Sequence, residues 1–451
     1  MLKKLYIKTY GCQMNVYDSD RMADLLSMHG FEVSKTPQNA DLVILNTCHI
    51  REKATEKVFS DLGRLNALKE KKAAKNEKMI LAVAGCTAQA EGKEITRRSP
   101  YVDLVVGPQA YHQLPELLEK LNRTQSGETS RIINTDFPVL SKFDFLPEQR
   151  ILPENSTAFL TIQEGCDKFC TFCCVPYTRG AEFSRPVLDI LKEARTLISK
   201  GIQEITLLGQ NVNAYHGASL DGNQEWGLGR LIFELAEIDG LKRLRYTTSH
   251  PRDVDDELIK AHKDVDILMP ILHLPVQSGS DKILKAMNRG HTSNLYRSII
   301  EKFRVASPHM AFSSDFIVGF PGESRQDFSE TLALVNDIDY AQAYSFTYSV
   351  REGTPAGNME NQISEDEKNE RLQTLQHLIR EQQMRFNTLS LGTTFEVLFD
   401  KVGRHPNQYI GRSPYLQSIH VHAPSSLIGK LLPVKITDVK PNSLEGQLID
   451  E

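Results

Sequence analysis

What most restricts the fold of this chain is a repeated alternation of short β-rich runs with helical stretches. In residues 1–145, Leu5–Tyr10, Asp41–Thr47, Met79–Ala84 and Leu104–Val106 read as strands. Between them Ser19–His29 carries apolar residues at helical spacing and stops at Gly30, a C-cap signal; Val58–Glu70 and Leu114–Leu121 read as further helices. Strands joined through helices run parallel, so this segment is expected to be an α/β, doubly wound parallel sheet. Residues 122–150 show little apolar periodicity and read as a linker. From 151 to 382 the alternation resumes with strands at Ala158–Gln163, Glu204–Leu208, Leu244–Thr248, Ile271–Val276, Ala311–Val318 and Ala343–Ser349, and helices such as Val187–Lys200 and Ser293–Val305. Six βα repeats predict a partial (β/α)6 barrel, two repeats short of the usual closed form. Each strand ends in a polar or Gly-rich loop, including Glu164-Gly165-Cys166, Gly209-Gln210-Asn211 and Gln277-Ser278-Gly279. That end of a βα barrel is where chemistry is done. A charged helix over Asp366–Phe386 leads into residues 383–450, where short runs separated by Gly, Pro, Asn and Ser predict a small β-barrel or sandwich.

A length of 451 residues fits about three such domains. With 40% hydrophobic and 25% charged residues the chain is of globular composition. No apolar run approaches the ~18 residues of a membrane span. The first residues, Met1-Leu2-Lys3-Lys4, lead into a strand and not into the apolar segment of a signal peptide, so a cytoplasmic, membrane-free protein is expected. The net charge of −5 excludes a general polyanion binder. Nucleic-acid binding would need a local surface, for which the run Lys69-Glu70-Lys71-Lys72-Ala73-Ala74-Lys75 is a candidate, although mixed charge at helical spacing more often marks a solvated face. Acidic and basic residues nearly balance in the C-terminal segment, so its composition alone does not make it an RNA-binding module.

The seven cysteines carry the chemistry. A reducing compartment and an odd count both argue against a disulfide framework, leaving metal ligands or buried thiols. Cys166, Cys170 and Cys173 fall within eight residues directly after a strand. Iron–sulfur cubanes normally take four thiolates, so three would leave one iron open to a chelating substrate. Structural zinc is the competing reading, but it wants a fourth ligand. Cys174 is poorly placed to be that ligand, because neighbouring side chains in an extended segment point apart. Cys12, Cys48 and Cys86 are scattered, yet each follows a strand, and Gly11 and Gly85 precede two of them. Parallel strands end on one edge of the sheet, so these thiols are expected to meet there as a second metal site, three ordinary buried cysteines being the alternative. Cys174 is left over as a structural residue.

The Cys-x-x-x-Cys-x-Φ-Cys loop after the first barrel strand, with Phe172 in the aromatic slot, resembles that of the radical S-adenosylmethionine superfamily. Three further N-terminal cysteines and a C-terminal β-module like the TRAM domain make the whole chain resemble the methylthiotransferases, and most closely their MiaB-type branch. The stretches that carry this likeness are YGCQMNVYDSDRM, NTCHIREKATEKVFSDLGRL, GCTAQAEG, VGPQAYHQLP, CTFCCVPYTRG, LLGQNVNAY, HLPVQSGSDKILKAMNRGHT and DFIVGFPGES. Cys174 stands where an apolar residue is usual and Ser324 where Thr is common. The resemblance implies two [4Fe–4S] clusters, one on Cys166, Cys170 and Cys173, the other on Cys12, Cys48 and Cys86. It implies S-adenosylmethionine in two roles, radical source at the first cluster and methyl donor. It also implies that sulfur is inserted at C2 of an N6-isopentenyladenosine beside the anticodon of a tRNA. A low-potential electron donor and a sulfur source would be needed as partners. Phe172, Gly209 and Gln210 match positions that line the cofactor pocket, although a Gly after a strand is also an ordinary tight turn. Two other readings stay open: a sister enzyme acting on threonylcarbamoyl-adenosine or a ribosomal-protein aspartate, and a non-catalytic RNA-binding protein stapled by zinc.

Overall fold

Parallel strands require long crossovers, and the chain supplies them as helices on both faces of a sheet. The computed structural model describes residues 2–48, 52–123, 131–138, 141–148, 150, 156–351 and 353–449, without the side chains of 52–55. It divides into two units, Met1–Pro153 with Cys174–Glu182, and Glu154–Cys173 with Phe183–Glu451. No helix among the described residues is long and apolar enough to cross a membrane.

The first unit is built on a six-stranded sheet of β1 (Lys3–Thr9), β2 (Phe31–Val33), β3 (Leu42–Thr47), β4 (Ile80–Gly85), β5 (Leu104–Val106) and β6 (Ile132–Asn134), in the order β2-β1-β3-β4-β5-β6. Every pairing is parallel. β3 and β4 are buried on both faces, as their unbroken apolar runs require. One face packs Leu42, Ile44, Ala82 and Leu104 against Met22, Leu26, Leu117 and Leu121 of the helices Gln13–Ser27 and Leu114–Arg123. The other packs Val43, Leu45, Leu81 and Val83 against Val58, Leu62, Ala88 and Ile95 of Glu52–Ala73 and Cys86–Arg98. The sheet is therefore doubly wound, as the alternation required.

Three elements differ from the sequence reading. β2 and β6 are three-residue edge strands, too short to show a period, and the helix Cys86–Arg98 has only Ile95 as a large apolar residue. The stretch read as a linker is part of this unit: β6 extends the sheet, and Lys142 and Arg150 are buried in ion pairs with Asp18 and Asp24. The lysine-rich run is not simply a solvated face. Lys69 reaches the Asp103 carboxylate at 2.6 Å, and buried Lys72 donates to the Ala40 carbonyl at 2.8 Å.

The second unit carries six barrel strands in two parallel trios, Arg243–Tyr246/Glu204–Leu208/Thr157–Thr161 and Ile271–His273/Ala311–Val318/Gln342–Thr347. Backbone hydrogen bonds of Leu244 with Ile267 and Met269 continue the first trio toward the second, giving the partial barrel expected. The helix Glu365–Leu389 then leads to a closed barrel of five strands, Thr394–Val402, Gln408–Arg412, Ser418–His422, Leu431–Lys440 and Ser443–Leu448, around Val397, Phe399, Ile419, Val434 and Leu444. Arg243 and Arg245 fasten it to the first trio. Arg243 donates to the carbonyls of Arg412, at 2.9 Å, and Glu396; Arg245 donates to those of Ser413 and Pro414 at 3.0 and 2.7 Å. Glu204 lies between the two guanidiniums, 3.6 Å from Arg243 and 3.1 Å from Arg245. Arg243 and Glu204 begin their strands, so the small barrel sits at the end opposite the cysteine loop.

Candidate cluster-binding sites

In the first unit, β1 and β3 are neighbours whose connections leave in opposite directions, to β2 and to β4. The carboxyl ends of two such strands open a crevice, the usual ligand site of open α/β sheets. Cys12 follows β1 and caps the helix Gln13–Ser27, Cys48 follows β3, and Cys86 opens the helix Cys86–Arg98. Two of the three thiols thus sit at helix N-termini, which favour thiolate. Gly11 and Gly85 hold φ of +121° and +91°. A Cβ on Gly11 would lie 2.1 Å from the Cys48 Cβ, and one on Gly85 would lie 2.4 Å from the Asn46 side-chain oxygen. Only glycine lets the strand ends come this close. Asn46 completes the lock, donating to the Asn15 carbonyl at 2.8 Å and to the Ser19 hydroxyl at 2.9 Å.

The thiols interact. A hydrogen bond from Cys48, helped by the charge of Arg179, brings the Cys12 thiol down to about 6 against the desolvation that crowding imposes. Burial pushes Cys86 up, with Arg179 opposing. Arg179 is the unforeseen member. It closes the short helix Val175–Arg179, which groups with this unit although its sequence follows the other cysteine loop. Its Nε donates to the Cys86 sulfur at 3.3 Å, while Nη2 pairs with Asp18 at 2.7 Å, both side chains 2% exposed. Cys174 caps this helix, its carbonyl accepting from Tyr177 and Thr178, both at 3.1 Å.

In the second unit Cys166, Cys170 and Cys173 occupy one loop after the first barrel strand, with Cys170 buried and the other two partly open. The loop is held from several sides. Cys173 N–H donates to the Cys170 carbonyl at 2.9 Å, and Thr171 donates through its N–H to Met287 and through its hydroxyl to Ala286. Asn288 donates to the Phe169 carbonyl at 3.0 Å, fixing Phe169 at a φ of +47°. Thr248 and Gln277, at other strand ends, also hold positive φ, 69° and 78°. Strained backbone of this kind gathers at working sites.

Gln210 accepts from the Gly165 N–H at 2.6 Å, and the Gln163 side chain accepts from the Gln210 N–H at 2.8 Å. A Cβ on Gly209 would lie 2.5 Å from that Gln163 oxygen. Gly209 and Gln210 therefore brace the strand end from which the cysteine loop departs. Phe172 packs against Met287, Phe320 and Tyr348. Arg289, missed in the sequence, donates from Nη1 to the Cys170 sulfur at 3.5 Å and from Nη2 to the Pro275 carbonyl at 2.5 Å. Ser324, standing where Thr is common, forms a capping box with Asp327 at the helix Arg325–Ile338.

Each donor set is made of thiols, the ligand type that iron–sulfur clusters take. No three His, Cys, Asp or Glu side chains among the described residues close to the distance of a single shared ion. A cubane asks less, because each of its thiolates binds a different iron. Around the second loop several buried polar atoms lack a partner: Asn211 Oδ1, Ser249 Oγ, His250 Nε2, Arg289 Nε and His291 Nε2. Burial, then the charge of Arg289, holds His250 neutral and lowers His291 to about 4. With His250 Nδ1 accepting from the Arg252 N–H at 3.2 Å, its Nε2 carries the proton and is a donor left waiting. Such atoms suit a polar, chelating ligand beside Cys170.

Three family models match the chain in order. They are uncharacterized protein family UPF0004 over residues 4–107, the radical SAM superfamily over 160–335 and the TRAM domain over 389–449. This order of modules is the signature of the MiaB/RimO-type methylthiotransferases. The chain has the architecture of a methylthiotransferase. Among solved structures it is similar to the radical S-adenosylmethionine methyltransferase TsrM from Kitasatospora setae, with cobalamin and a [4Fe–4S] cluster bound. That likeness has a TM-score of 0.57 at 13% identity, over 79% of this chain and 74% of that one. It is also similar to the cobalamin-dependent S-adenosylmethionine radical enzyme OxsB, with a TM-score of 0.55 at 13% identity, over 84% of this chain. The match spans 56% of OxsB, little more than half its length. Likeness at this identity is one of fold. The methylthiotransferase modules map onto the two sites, the UPF0004 match containing Cys12, Cys48 and Cys86 and the radical SAM match containing Cys166, Cys170 and Cys173.

Proposed function

We propose that the chain adds a methylthio group to C2 of N6-isopentenyladenosine beside the anticodon of tRNA, using two [4Fe–4S] clusters and S-adenosylmethionine both as radical source and as methyl donor. The observation that carries this reading is the presence of two separate three-thiol sites in one chain, each with a buried arginine against one sulfur. Cys166, Cys170 and Cys173 would hold one cluster and Cys12, Cys48 and Cys86 the other. When bound, the first cluster supplies one-electron cleavage of S-adenosylmethionine. Gln163, Gly209 and Gln210 fix the loop that carries its ligands, and Asn211, Ser249 and His250 offer polar atoms to the cofactor. Cys12, Cys48 and Cys86, at the carboxyl ends of β1, β3 and β4, would be the place where sulfur is supplied. Electrons and sulfur come from outside the chain, so a low-potential donor and a sulfur source are required partners. The TRAM barrel is the candidate RNA-holding module, and an anticodon loop offers it unstacked bases.

Two measurements test the reading. tRNA nucleosides from cells lacking the protein are digested and analysed by mass spectrometry; loss of 2-methylthio-isopentenyladenosine is expected, and an unchanged level would refute the substrate. Separately, Cys170→Ala abolishes both S-adenosylmethionine cleavage and product, whereas Cys48→Ala keeps cleavage and stops thiolation. Full thiolation by Cys48→Ala would remove the sulfur role of the N-terminal site.

A further inference from the structure

Strand residues alternate between faces, and in the second barrel trio the two faces differ sharply. On Ala311–Val318, Phe312, Ser314, Phe316 and Val318 are buried, with the Phe316 ring 5.6 Å from that of Tyr340 in a T-shaped contact. The opposite face presents Asp315 and Ile317, both partly open. Parallel register places Asp315 beside Tyr344 and Ile317 beside Phe346, so these four side chains share one face. Tyr344 and Phe346 are 45% and 41% exposed. His273, from the neighbouring strand, stands behind Asp315: its Nδ1 is 2.9 Å from the Ser313 hydroxyl and its Nε2 is 3.7 Å from the Asp315 carboxylate. Its ring meets that of Tyr344 edge-on at 6.4 Å.

This face adjoins the cysteine loop, because Phe172 packs into the same apolar cluster that Ile317 touches. Two large aromatics left open on a barrel strand next to a reactive loop mark a binding surface. Their rings suit the π-face of a nucleobase turned out of its stack. Asp315 is an acceptor suited to an exocyclic N–H, and Ile317 and Phe346 offer apolar surface to a hydrocarbon substituent. The same carboxylate repels a substituent that ends in a carboxylate of its own, a discrimination by unfavourable contact.

We propose that Asp315, Ile317, Tyr344 and Phe346 form the subsite for the base, and that this subsite selects an N6-prenylated adenine and rejects an adenine with an acidic N6 group. The proposal rests on the reading of the chain as a tRNA methylthiotransferase and assigns the selectivity of its substrate site.

The test uses the full chain and fluorescent anticodon stem-loop oligonucleotides bearing adenosine, isopentenyladenosine or threonylcarbamoyl-adenosine at one position, with affinities read by anisotropy. The unaltered chain should bind the prenylated loop about tenfold or more tighter than the plain one, the scale of partly burying a five-carbon substituent at ~0.8 kcal/mol per CH2. Phe346→Ala should bring that ratio to within about threefold and Tyr344→Ala should weaken binding of both loops, while Phe346→Tyr keeps most of the ratio as a check on folding. Asp315→Asn should tighten binding of the acidic loop about fivefold or more relative to the plain and prenylated loops, both of which lose the carboxylate acceptor. If the unaltered chain prefers the prenylated loop and Tyr344→Ala, Phe346→Ala and Asp315→Asn all leave its affinities unchanged, the subsite lies elsewhere and the proposal fails while the functional reading stands. If the unaltered chain shows no preference for the prenylated loop, the functional reading itself fails.

Discussion

Buried Arg179 and Arg289 each set a guanidinium against a cysteine sulfur. Three thiols in eight residues, and three more after strands, announce themselves by type and position. Arg179 and Arg289 lie in stretches as distinctive, CTFCCVPYTRG and LKAMNRGHT, but nothing in one sequence separates a buried arginine from a solvated one. Only the fold shows that each donates to a cysteine sulfur, at 3.3 Å to Cys86 and 3.5 Å to Cys170. Hydrogen bonds to cluster sulfurs stabilise the reduced, more negative state and so raise the potential. Arg289→Gln, made in a chain whose Cys12, Cys48 and Cys86 are replaced so that one cluster remains, should lower the midpoint potential. A charge-assisted hydrogen bond of about 1.5–3 kcal/mol sets the scale at roughly 60–130 mV as an upper bound. A redox titration followed by electron paramagnetic resonance reads the shift, and an unmoved midpoint would deny Arg289 this role.

Among the elements, what positions the N-terminal site is strand order more than any helix. β1, β3 and β4 were readable from their apolar runs, and their carboxyl ends carry the three thiols. Their adjacency was not readable, because sheet order depends on where β2 packs, and β2 is three largely exposed residues. Lys142 and Arg150 escaped for a related reason, since buried ion pairs leave no hydrophobic period. Gly11 shows how tight the strand ends are. Gly11→Ala places a methyl 2.1 Å from the Cys48 Cβ at a φ of +121°. Backbone strain alone costs about 1–3 kcal/mol. The expected result is a chain that loses iron from the N-terminal site while Cys166, Cys170 and Cys173 still support S-adenosylmethionine cleavage. Metal analysis showing the full iron content of the unaltered protein would mean that the site tolerates a wider approach than this geometry allows.

At the scale of the whole molecule, the order of sheet, partial barrel and small β-barrel was legible because each has its own period and connection length. The assignment of residues 174–182 to the N-terminal unit was not, since their sequence is continuous with the cysteine loop. Nor was the anchoring of the C-terminal barrel, which depends on Arg243 and Arg245 reaching backbone carbonyls some 170 residues away. That anchoring places the small barrel at the far end of the strands from Cys166. An eight-residue strand such as Ala311–Val318 spans about 26 Å at ~3.3 Å per residue.

Two cysteine triplets that each hold an iron–sulfur cluster would fix the metal content of the chain. Iron, sulfide and zinc are to be measured on anaerobically purified protein, unaltered and with each triplet replaced by alanine. About eight irons per chain are expected, falling to about four when either triplet is removed, with sulfide in parallel and no zinc. Colourless protein containing zinc alone, or four irons that survive removal of Cys12, Cys48 and Cys86 unchanged from the unaltered chain, would contradict it.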